Sequence, residues 1–167
     1  MKKFIYILCL FICSSFSQDE KWNVSAEKEI EQIKINGETI RKLKKNVRFF
    51  KKNQIIITDN AIQNLNNDIL HMNGNTMMIN GLDTLTCDSM IYWSKLDSGY
   101  AMGDVNYIQS SPSRKLFSDY FYYWKTEGFR GSSFITKGNS RLEESDYLIS
   151  ADKIYYDDET QIMILEK

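Results

Sequence analysis

Four aspartates recur along the chain in one local setting, and they are the first residues whose spacing suggests chemistry: Asp59, Asp88, Asp119 and Asp152. Carboxylates bind calcium, but a calcium site needs several oxygens that converge from closely spaced residues. One aspartate in about 30 residues does not supply them. Asp side chains also hydrogen-bond backbone N–H groups where a chain bends. We therefore interpret these four residues as corner-forming, and we predict no metal site.

Other groups that could act in catalysis lack partners in the sequence. His71 is the only histidine, and the chain has no Ser-His-Asp arrangement, no glycine-rich phosphate loop and no zinc-binding spacing. Adjacent acidic residues at 143–144 and 157–159 fall at predicted turns, where carboxylates are simply solvated. We predict no catalytic residue and no cofactor, and we expect a protein that is not an enzyme. A glycan-active or metal-dependent enzyme is the alternative, but nothing in the sequence supplies its acid, base or metal ligands.

Each aspartate lies in a constant frame, which predicts the elements around it. A small turn begins 14 to 16 residues earlier, at Lys45, Gly74, Gly103 and Gly138. The third residue before each aspartate is apolar, the residue just before it is small, the second after it is apolar, and the fourth is Gln or Tyr. A period of about 30 residues indicates stacked supersecondary units that bury a shared apolar face.

The segments within this frame are rich in Ile, Tyr, Phe and Thr and are bounded by Gly, Asn, Asp or Ser, which is typical of β-strands. Strands are predicted before the aspartates, at residues 54–58, 83–87, 114–118 and 147–151. Partner strands are predicted after the turns, at residues 47–50, 76–79, 105–109 and 141–142. Further strands are predicted at residues 68–72, 99–102, 133–136 and 161–165. The predicted fold class is all-β, built from about four units.

The residues on either side of each aspartate do not fit a straight, half-buried strand. Positions three and one before it share one face, whereas positions two and four after it would lie on the opposite face. All four positions are mostly apolar or small. A bulge or bend at the aspartate would shift the phase and turn both halves toward one interior. A strand covered on both faces is the alternative; we favour the bend because the pattern recurs at the same place in every unit.

Residues 1–17 are predicted to be a signal peptide. Two lysines precede an apolar run at residues 4–12, and small residues fit cleavage near Ser17 and Gln18. Lipidation of Cys13 is the minor alternative, since an isoleucine precedes this cysteine where a lipoprotein signal has a small residue.

The exported part would comprise a lead-in at residues 18–28 and one domain at residues 29–167. It carries 19 basic and 22 acidic residues, a balance that gives no case for nucleic-acid binding. Cys87 is its only cysteine. An intramolecular disulfide is therefore excluded, and stability must come from burial and backbone pairing.

Two patches have both a structural and a functional interpretation. A basic cluster in the first unit either is a solvated hairpin that guards a sheet edge or contacts anionic head groups or an acidic partner. The cluster contains Arg41, Lys42, Lys44, Lys45, Arg48, Lys51 and Lys52. An aromatic run at residues 120–124, with rings at residues 92–93 and 155–156 in equivalent places, either packs on a two-sided sheet or lines a lipid-accepting groove.

Three stretches together resemble the LptA/OstA family of periplasmic lipopolysaccharide-export proteins: GNTMMINGLDTLTCDSMIYW from residue 74, GYAMGDVNYIQ from residue 99 and LISADKIYYDDETQIMI from residue 148. The family pattern is a Gly-Asn-Val turn followed by Ala-Asp-x-apolar-x-Tyr. The stretch ETIRKLKKNVRFFKKNQIIITDNA is similar to the entry repeat of the OstA-like proteins of Bacteroidetes-type bacteria. The resemblance covers residues 29–167, and the chain departs from the pattern at Lys45, Gln63 and Ser140 and in a longer third unit.

This resemblance implies a twisted open β-jelly roll of two facing antiparallel sheets that binds the acyl chains of lipopolysaccharide or lipid A between the sheets. It also implies a periplasmic location and head-to-tail stacking by strand pairing, with other copies or other envelope components. The apolar segment at residues 161–165 would suit such edge addition.

The shared frame selects seven apolar residues as candidates for lining a lipid groove: Ile56, Leu85, Met90, Leu116, Phe121, Ile149 and Ile154. The alternative function is that of a structural envelope interaction module. In that case the sandwich core would be filled, and the sheet edges would dock an outer-membrane barrel or an inner-membrane anchor.

Overall fold

The computed structural model describes residues 21–111, 113–125 and 132–167. The predicted signal peptide, with Cys13 and the cleavage position near Ser17, lies outside these ranges. Within them the chain forms strands and turns without a helix, which confirms the all-β prediction. No helix of the described ranges therefore has the length and apolarity needed to cross a membrane.

All eleven strands belong to one antiparallel sheet: β1 (Asn23–Ser25), β2 (Lys28–Ile35), β3 (Glu38–Lys51), β4 (Gln54–Asn64), β5 (Ile69–Asn80), β6 (Asp83–Trp93), β7 (Ser98–Gln109), β8 (Arg114–Lys125), β9 (Ser132–Glu144), β10 (Tyr147–Asp157) and β11 (Ile162–Glu166). The order in the sheet follows the chain from β1 to β3 and onward to β11, and β2 also pairs with β3. Each long strand therefore contacts the strands that precede and follow it in sequence.

The strands are longer than the sequence pattern predicts. The positions predicted as turns are not chain reversals but lie inside β3, β5, β7 and β9: Lys45, Gly74, Gly103 and Gly138. The predicted strands at residues 68–72 and 76–79 are consequently one strand, β5. Those at residues 99–102 and 105–109 are likewise one strand, β7.

Each of these predicted turns is a β-bulge within its strand. Each time, two consecutive residues with positive φ oppose one residue of the following strand, and the pairing register shifts there. In β5, Gly74 (φ 83°) and Asn75 (φ 43°) oppose only Asp88 of β6. An extra residue on one strand bends an antiparallel pair and increases its twist.

The aspartate of the preceding strand fills the space beside each bulge glycine. A Cβ atom on Gly74 would lie 2.6 Å from Oδ2 of Asp59, and the glycines of the β7 and β9 bulges are crowded by Asp88 and Asp119 in the same way. The side-chain amide of Asn75 donates to Oδ2 of Asp59 at 2.8 Å, and β8 and β9 make the matching contact. Asp59 and Asp119 thus accept hydrogen bonds from side-chain amides, whereas the sequence pattern predicts backbone N–H donors.

The bulges turn both halves of a strand toward one interior. In β6, Leu85 and Cys87 are buried before the bend, and Met90 and Tyr92 are buried after it, although the two pairs have opposite parity. The same change of phase occurs in β4 and β8. The expected bend is therefore confirmed. We call the strand segments on the Leu85 side of the bends the Leu85 half of the sheet, and those on the Met90 side the Met90 half.

The residues that precede β3 complete the sheet at its first edge. β1 pairs with the Leu85 half of β3, and β2 pairs with its Met90 half. Glu27, between β1 and β2, lies beside the bulge of β3, in the position that an aspartate has beside each later bulge. It accepts a hydrogen bond from Nδ2 of Asn46 and pairs with Lys45 at 3.6 Å. The bulge of β3 is thus held as the later ones are, although a lysine at φ 65° replaces the glycine.

The contact between aspartate and glycine makes a prediction for stability. We expect Gly103→Ala to lower the free energy of unfolding by at least about 2 kcal/mol, because the new Cβ would meet the Asp88 carboxylate as well as strain the backbone. Gly37→Ala is the matched control: its φ of 83° is close to the 74° of Gly103, but nothing lies within 4 Å of the added Cβ. It should cost about 1 kcal/mol from backbone strain alone. Urea denaturation measures both costs; equal values would contradict the proposed role of the carboxylate, and Asp88→Ala should restore part of the loss.

Candidate functional site

Side chains from both halves of the sheet meet in one buried cluster. Tyr107 of the Leu85 half stacks on Phe121 of the Met90 half, with 5.3 Å between ring centres. The hydroxyl of Tyr123 donates to Sδ of Met78 at 3.3 Å between the same two halves. Six of the seven candidate residues are buried in this cluster, and the seventh, Ile149, is partly buried against it; the six are Ile56, Leu85, Met90, Leu116, Phe121 and Ile154. The structure therefore brings all seven to one interior.

A cavity of about 110 Å³ lies between the two halves, and we call it the inner cavity. Its apolar wall consists of Met78, Leu85, Tyr107, Phe121, Tyr123 and Phe134. Its polar side consists of Asn80, Asp83, Asp97, Gln109 and Lys125. Of the seven candidates, Leu85 and Phe121 line this cavity. The inner cavity is thus an apolar space with charged and amide groups gathered on one side.

The backbone of β7 makes room for the wall of the inner cavity. A Cβ atom on Gly99 would lie 2.5 Å from Cε of Met90 and 2.6 Å from the ring of Tyr123. Both side chains therefore lie directly against bare backbone. This close approach places the Tyr123 hydroxyl within reach of the opposite half.

Two aspartates organise the polar side of the inner cavity. Asp97, in the turn after β6, accepts hydrogen bonds from the Tyr92 hydroxyl at 2.7 Å and from Nζ of Lys125 at 3.2 Å. Asp83, at the start of β6, accepts a longer bond from the Tyr107 hydroxyl at 3.5 Å. The carboxylates thus hold two ring hydroxyls in place at the boundary between the apolar wall and water.

The tyrosines of this site remain neutral at physiological pH. Burial raises the pKa of Tyr92, Tyr107 and Tyr123 well above its usual value, and the nearby carboxylates of Asp97 and Asp83 raise it further. A neutral phenol can donate and accept hydrogen bonds but is not poised for proton transfer near pH 7. These groups are therefore suited to contact a ligand and not to act as general acids or bases.

Trp22 joins the two halves near the first edge of the sheet. Its ring lies edge-on to Phe49 of the Leu85 half and Tyr92 of the Met90 half, at 6.2 and 6.1 Å between centres. Its Nε1 donates to Oγ of Ser94 at 2.8 Å. The residue belongs to the predicted lead-in, before the first unit, so the recurring frame gave no signal for it.

The recurring sequence frame also marks residues of the cavity wall. The fourth residue after each bulge start is buried or lines the inner cavity; these residues are Phe49, Met78, Tyr107 and Leu142. The aspartates on the polar side had no comparable signal, because Asp83 and Asp97 lie at the two ends of β6 and come close to the wall only through folding.

The basic cluster divides between the two faces of β3. Arg41 lies in register with the buried Gln63 on the inner face. Four further members lie at exposed or outward-facing positions: Lys42, Lys44, Lys45 and Arg48. Lys42 pairs with Glu31 at 3.8 Å on the surface. The cluster is therefore not one contiguous contact surface.

The aromatic run of β8 also divides between two faces. Phe121 and Tyr123 face the interior, whereas Tyr122 and Trp124 face outward. The outward rings form a series with neighbouring strands: Trp93–Tyr122 at 6.4 Å, Tyr122–Trp124 at 5.4 Å and Trp124–Tyr155 at 6.2 Å. Both faces of the Met90 half consequently carry apolar surface.

Two further reactive side chains, His71 and Cys87, do not line the inner cavity. His71 is exposed on the outer face, and Cys87 is a buried free thiol. In the part of the chain that the structure describes, no three or more His, Cys, Asp or Glu side chains are grouped so as to hold a metal ion.

Comparison with known proteins gives the chain no family: no protein-family model matches it, and no curated protein matches it. The proposed function is therefore based on the interior and the residues that line it.

The thiol of Cys87 provides a probe of how closed the interior is. Burial raises its pKa to about 12, so at pH 8 only about one molecule in 10⁴ would carry the reactive thiolate. We expect iodoacetamide to label folded protein, beginning at residue 18, at least a hundredfold more slowly than urea-unfolded protein. Between pH 7 and 9 the unfolded rate should rise as an ordinary thiol titrates near about 8.5, while the folded rate stays low. Mass spectrometry measures both, and rapid labelling of folded protein would show that the two halves separate readily.

Proposed function

We propose that the protein is a non-enzymatic carrier of an amphiphile, with lipopolysaccharide or lipid A as its ligand, whose acyl chains lie between the Leu85 half and the Met90 half of the sheet. After export it would act in the periplasm, in lipopolysaccharide transport or outer-membrane assembly. The observation that carries the proposal is the inner cavity, because its wall is drawn from both halves. The sequence resemblance to the LptA/OstA family supports the choice of ligand.

The proposal includes a finer description of the fold. We propose that the two halves act as the facing sheets of a twisted open jelly roll and that each recurring unit adds one segment to each sheet. The bends at matched positions support this, since they turn both halves inward. The contact of Tyr107 with Phe121 supports it as well, because these rings belong to different halves.

The energetics suit a carrier that must release its cargo. Each methylene moved from water into an apolar site contributes about 0.8 kcal/mol. A cavity of about 110 Å³ accepts only a few methylenes, so a longer chain must separate the two halves further. The contact between Tyr123 and Met78 is a weak bond to sulfur, and losing it would cost little. Net affinity would therefore remain modest, in keeping with transfer along a chain of carriers.

Stacking of copies is the second part of the proposal. In the described sheet β11 pairs with β10, and its Ile162, Ile164 and Leu165 are each about half exposed. β1 and β2 form the first edge. A strand with an open backbone edge and exposed apolar side chains accepts another strand readily. We propose that β11 of one copy, or of another envelope component, adds to this first edge in a head-to-tail manner.

Filling the inner cavity should block the ligand without unfolding the protein. We expect Leu85→Phe to weaken binding of a fluorescent lipid A analogue about tenfold, since excluding two methylenes costs about 1.6 kcal/mol. The free energy of unfolding should change by less than about 1.5 kcal/mol, because the ring enters existing space. Fluorescence titration and urea denaturation measure the two effects.

The matched control is Ile108→Phe, which places the same ring on the exposed outer face of β7. It should leave lipid binding unchanged. Absence of saturable binding by the wild-type protein would refute the proposal outright. Unaltered binding by Leu85→Phe would show that the ligand lies elsewhere.

Charges on β11 should prevent stacking. We expect the double variant Ile162→Lys/Ile164→Lys to remain monomeric at concentrations at which the wild-type protein forms oligomers, because charge at an edge strand disfavours strand addition. Leu82→Lys/Leu96→Lys is the control, since both leucines are more exposed than those of β11 but lie in turns. Sedimentation velocity measures the distribution, and a monomeric wild-type protein would contradict the proposal.

A structural interaction module is the second candidate function. The outward series of rings around Tyr122 and Trp124 supports it, because exposed apolar surface on a sheet marks a contact site. Such a module would dock an outer-membrane barrel or an inner-membrane anchor. It would be favoured over lipid carriage if cells tolerated Leu85→Phe but lost envelope integrity with Tyr122→Ser.

A further inference from the structure

Arg41 of the basic cluster lies on the inner face of the Met90 half of the sheet. Its neighbour in the next strand is Gln63, and the two residues are in register across β3 and β4. The row continues through Leu70 and Tyr92, which are both buried. Arg41 and Gln63 therefore begin the same inner row of side chains that later reaches Tyr123 in the wall of the inner cavity.

Polar atoms of both residues are buried without a partner. Nε of Arg41 and Oε1 of Gln63 have no hydrogen-bond partner among the described residues, and Gln63 is only 3% exposed. Two described acidic side chains of β2 and β3 are engaged elsewhere: Glu31 of β2 pairs with Lys42, and Glu38 of β3 accepts a hydrogen bond from Asn64. A partly buried guanidinium thus has no described carboxylate to balance its charge.

Such an arrangement is costly unless a ligand completes it. Burying a polar atom without a hydrogen bond is unfavourable, and the cost is larger for a charged group. A buried Tyr or Leu at position 63 would avoid this cost, and the corresponding positions of the later units carry Tyr92, Tyr123 and Tyr156. Stability alone therefore does not account for the glutamine, which points to a use in binding.

The donor set defines the class of ligand. A guanidinium offers a planar fork of N–H donors that matches the oxygens of a phosphate or carboxylate. The amide of Gln63 can present its NH₂ group to the same anion by rotating half a turn about its last side-chain bond. The site would thus have one cationic and one neutral donor on adjacent strands, and both face an apolar interior. Such a site favours a ligand with an anionic oxygen group attached to an apolar body.

We propose that Arg41 and Gln63 form an anion site that holds the phosphate or carboxylate end of the amphiphile, while its apolar part follows the inner row toward the inner cavity. This inference rests on the proposed function and names the part of the ligand that the basic side chain recognises. Lys42, Lys44, Lys45 and Arg48 do not take part, because they lie outside the interior.

The test compares three probes by isothermal titration calorimetry: dodecyl phosphate, dodecyl maltoside and inorganic phosphate. We expect wild-type protein to bind dodecyl phosphate at least about tenfold more tightly than dodecyl maltoside, since a charge-assisted hydrogen bond accounts for such a factor. Arg41→Gln should remove this preference and leave the affinity for dodecyl maltoside unchanged. Gln63→Leu should reduce the preference about fivefold.

Arg48→Gln is the matched control, because it removes the same charge from an exposed position on the same strand. An equal loss of preference in Arg48→Gln would overturn the inference and show only general attraction to a basic surface. Unchanged maltoside affinity shows that Arg41→Gln is folded. If that variant does unfold, Arg41→Lys serves instead: it keeps the charge, loses the planar fork and should retain only part of the preference, whereas full retention would overturn the site.

The outcomes separate this inference from the proposed function. Equal affinity of wild-type protein for both amphiphiles overturns the anion site and leaves lipid carriage standing. Binding of inorganic phosphate that depends on Arg41, with neither amphiphile bound, upholds the anion site and overturns lipid carriage. Failure to bind any of the three probes overturns both.

Discussion

The carboxylates of three bend aspartates, Asp59, Asp88 and Asp119, occupy the place that a side chain would need on the glycine of the next strand. This contact determines where the long strands bend. The bend shifts the phase by one residue, so Met90 and Tyr92 face the same interior as Leu85. Without the shift, β6 would expose two large apolar side chains, Met90 and Tyr92, at roughly 1.5–3 kcal/mol apiece. The strain of a non-glycine residue at positive φ, about 1–2 kcal/mol, is smaller than that gain. The pattern therefore tolerates a lysine at position 45.

The sequence contained the strands, the recurring bends and the inward residues, but it did not distinguish a bulge from a hairpin. Gly-Asn favours positive φ in both settings, so the sequence predicts a chain reversal at Gly74-Asn75, where the strand in fact continues through a bulge. The real reversals, such as the one at Gly81, use the same residue types. Local propensity does not tell a bulge, through which the strand continues, from a hairpin turn, at which the chain reverses. Only the pairing of β4, β5 and β6 across the bulge decides it.

The candidate site was predictable to the extent that it follows the frame. Leu85 and Phe121 line the inner cavity and were selected by their distance from an aspartate. Asp83, Asp97 and Trp22 lie outside any recurring position, and contacts between residues far apart in sequence place them. Trp22 and its hydrogen-bond partner Ser94, for example, are separated by 72 residues. Such contacts depend on the completed sheet, which periodicity within a single unit cannot specify.

The proposed carrier function requires a stable sheet whose two halves can separate. Most of its inward residues are fully packed, whereas two contacts between rings and the opposite groups beside the inner cavity are long or weak: Tyr107 to Asp83 at 3.5 Å and Tyr123 to Met78. Binding would first separate these contacts and then add apolar burial in their place, so little of the fold's stability is lost when the cavity widens. The bends of β5, β7 and β9 are each held by a carboxylate packed against glycine backbone. Under the proposed function, opening would therefore be confined to the space between the halves, and the register of the strands would be preserved.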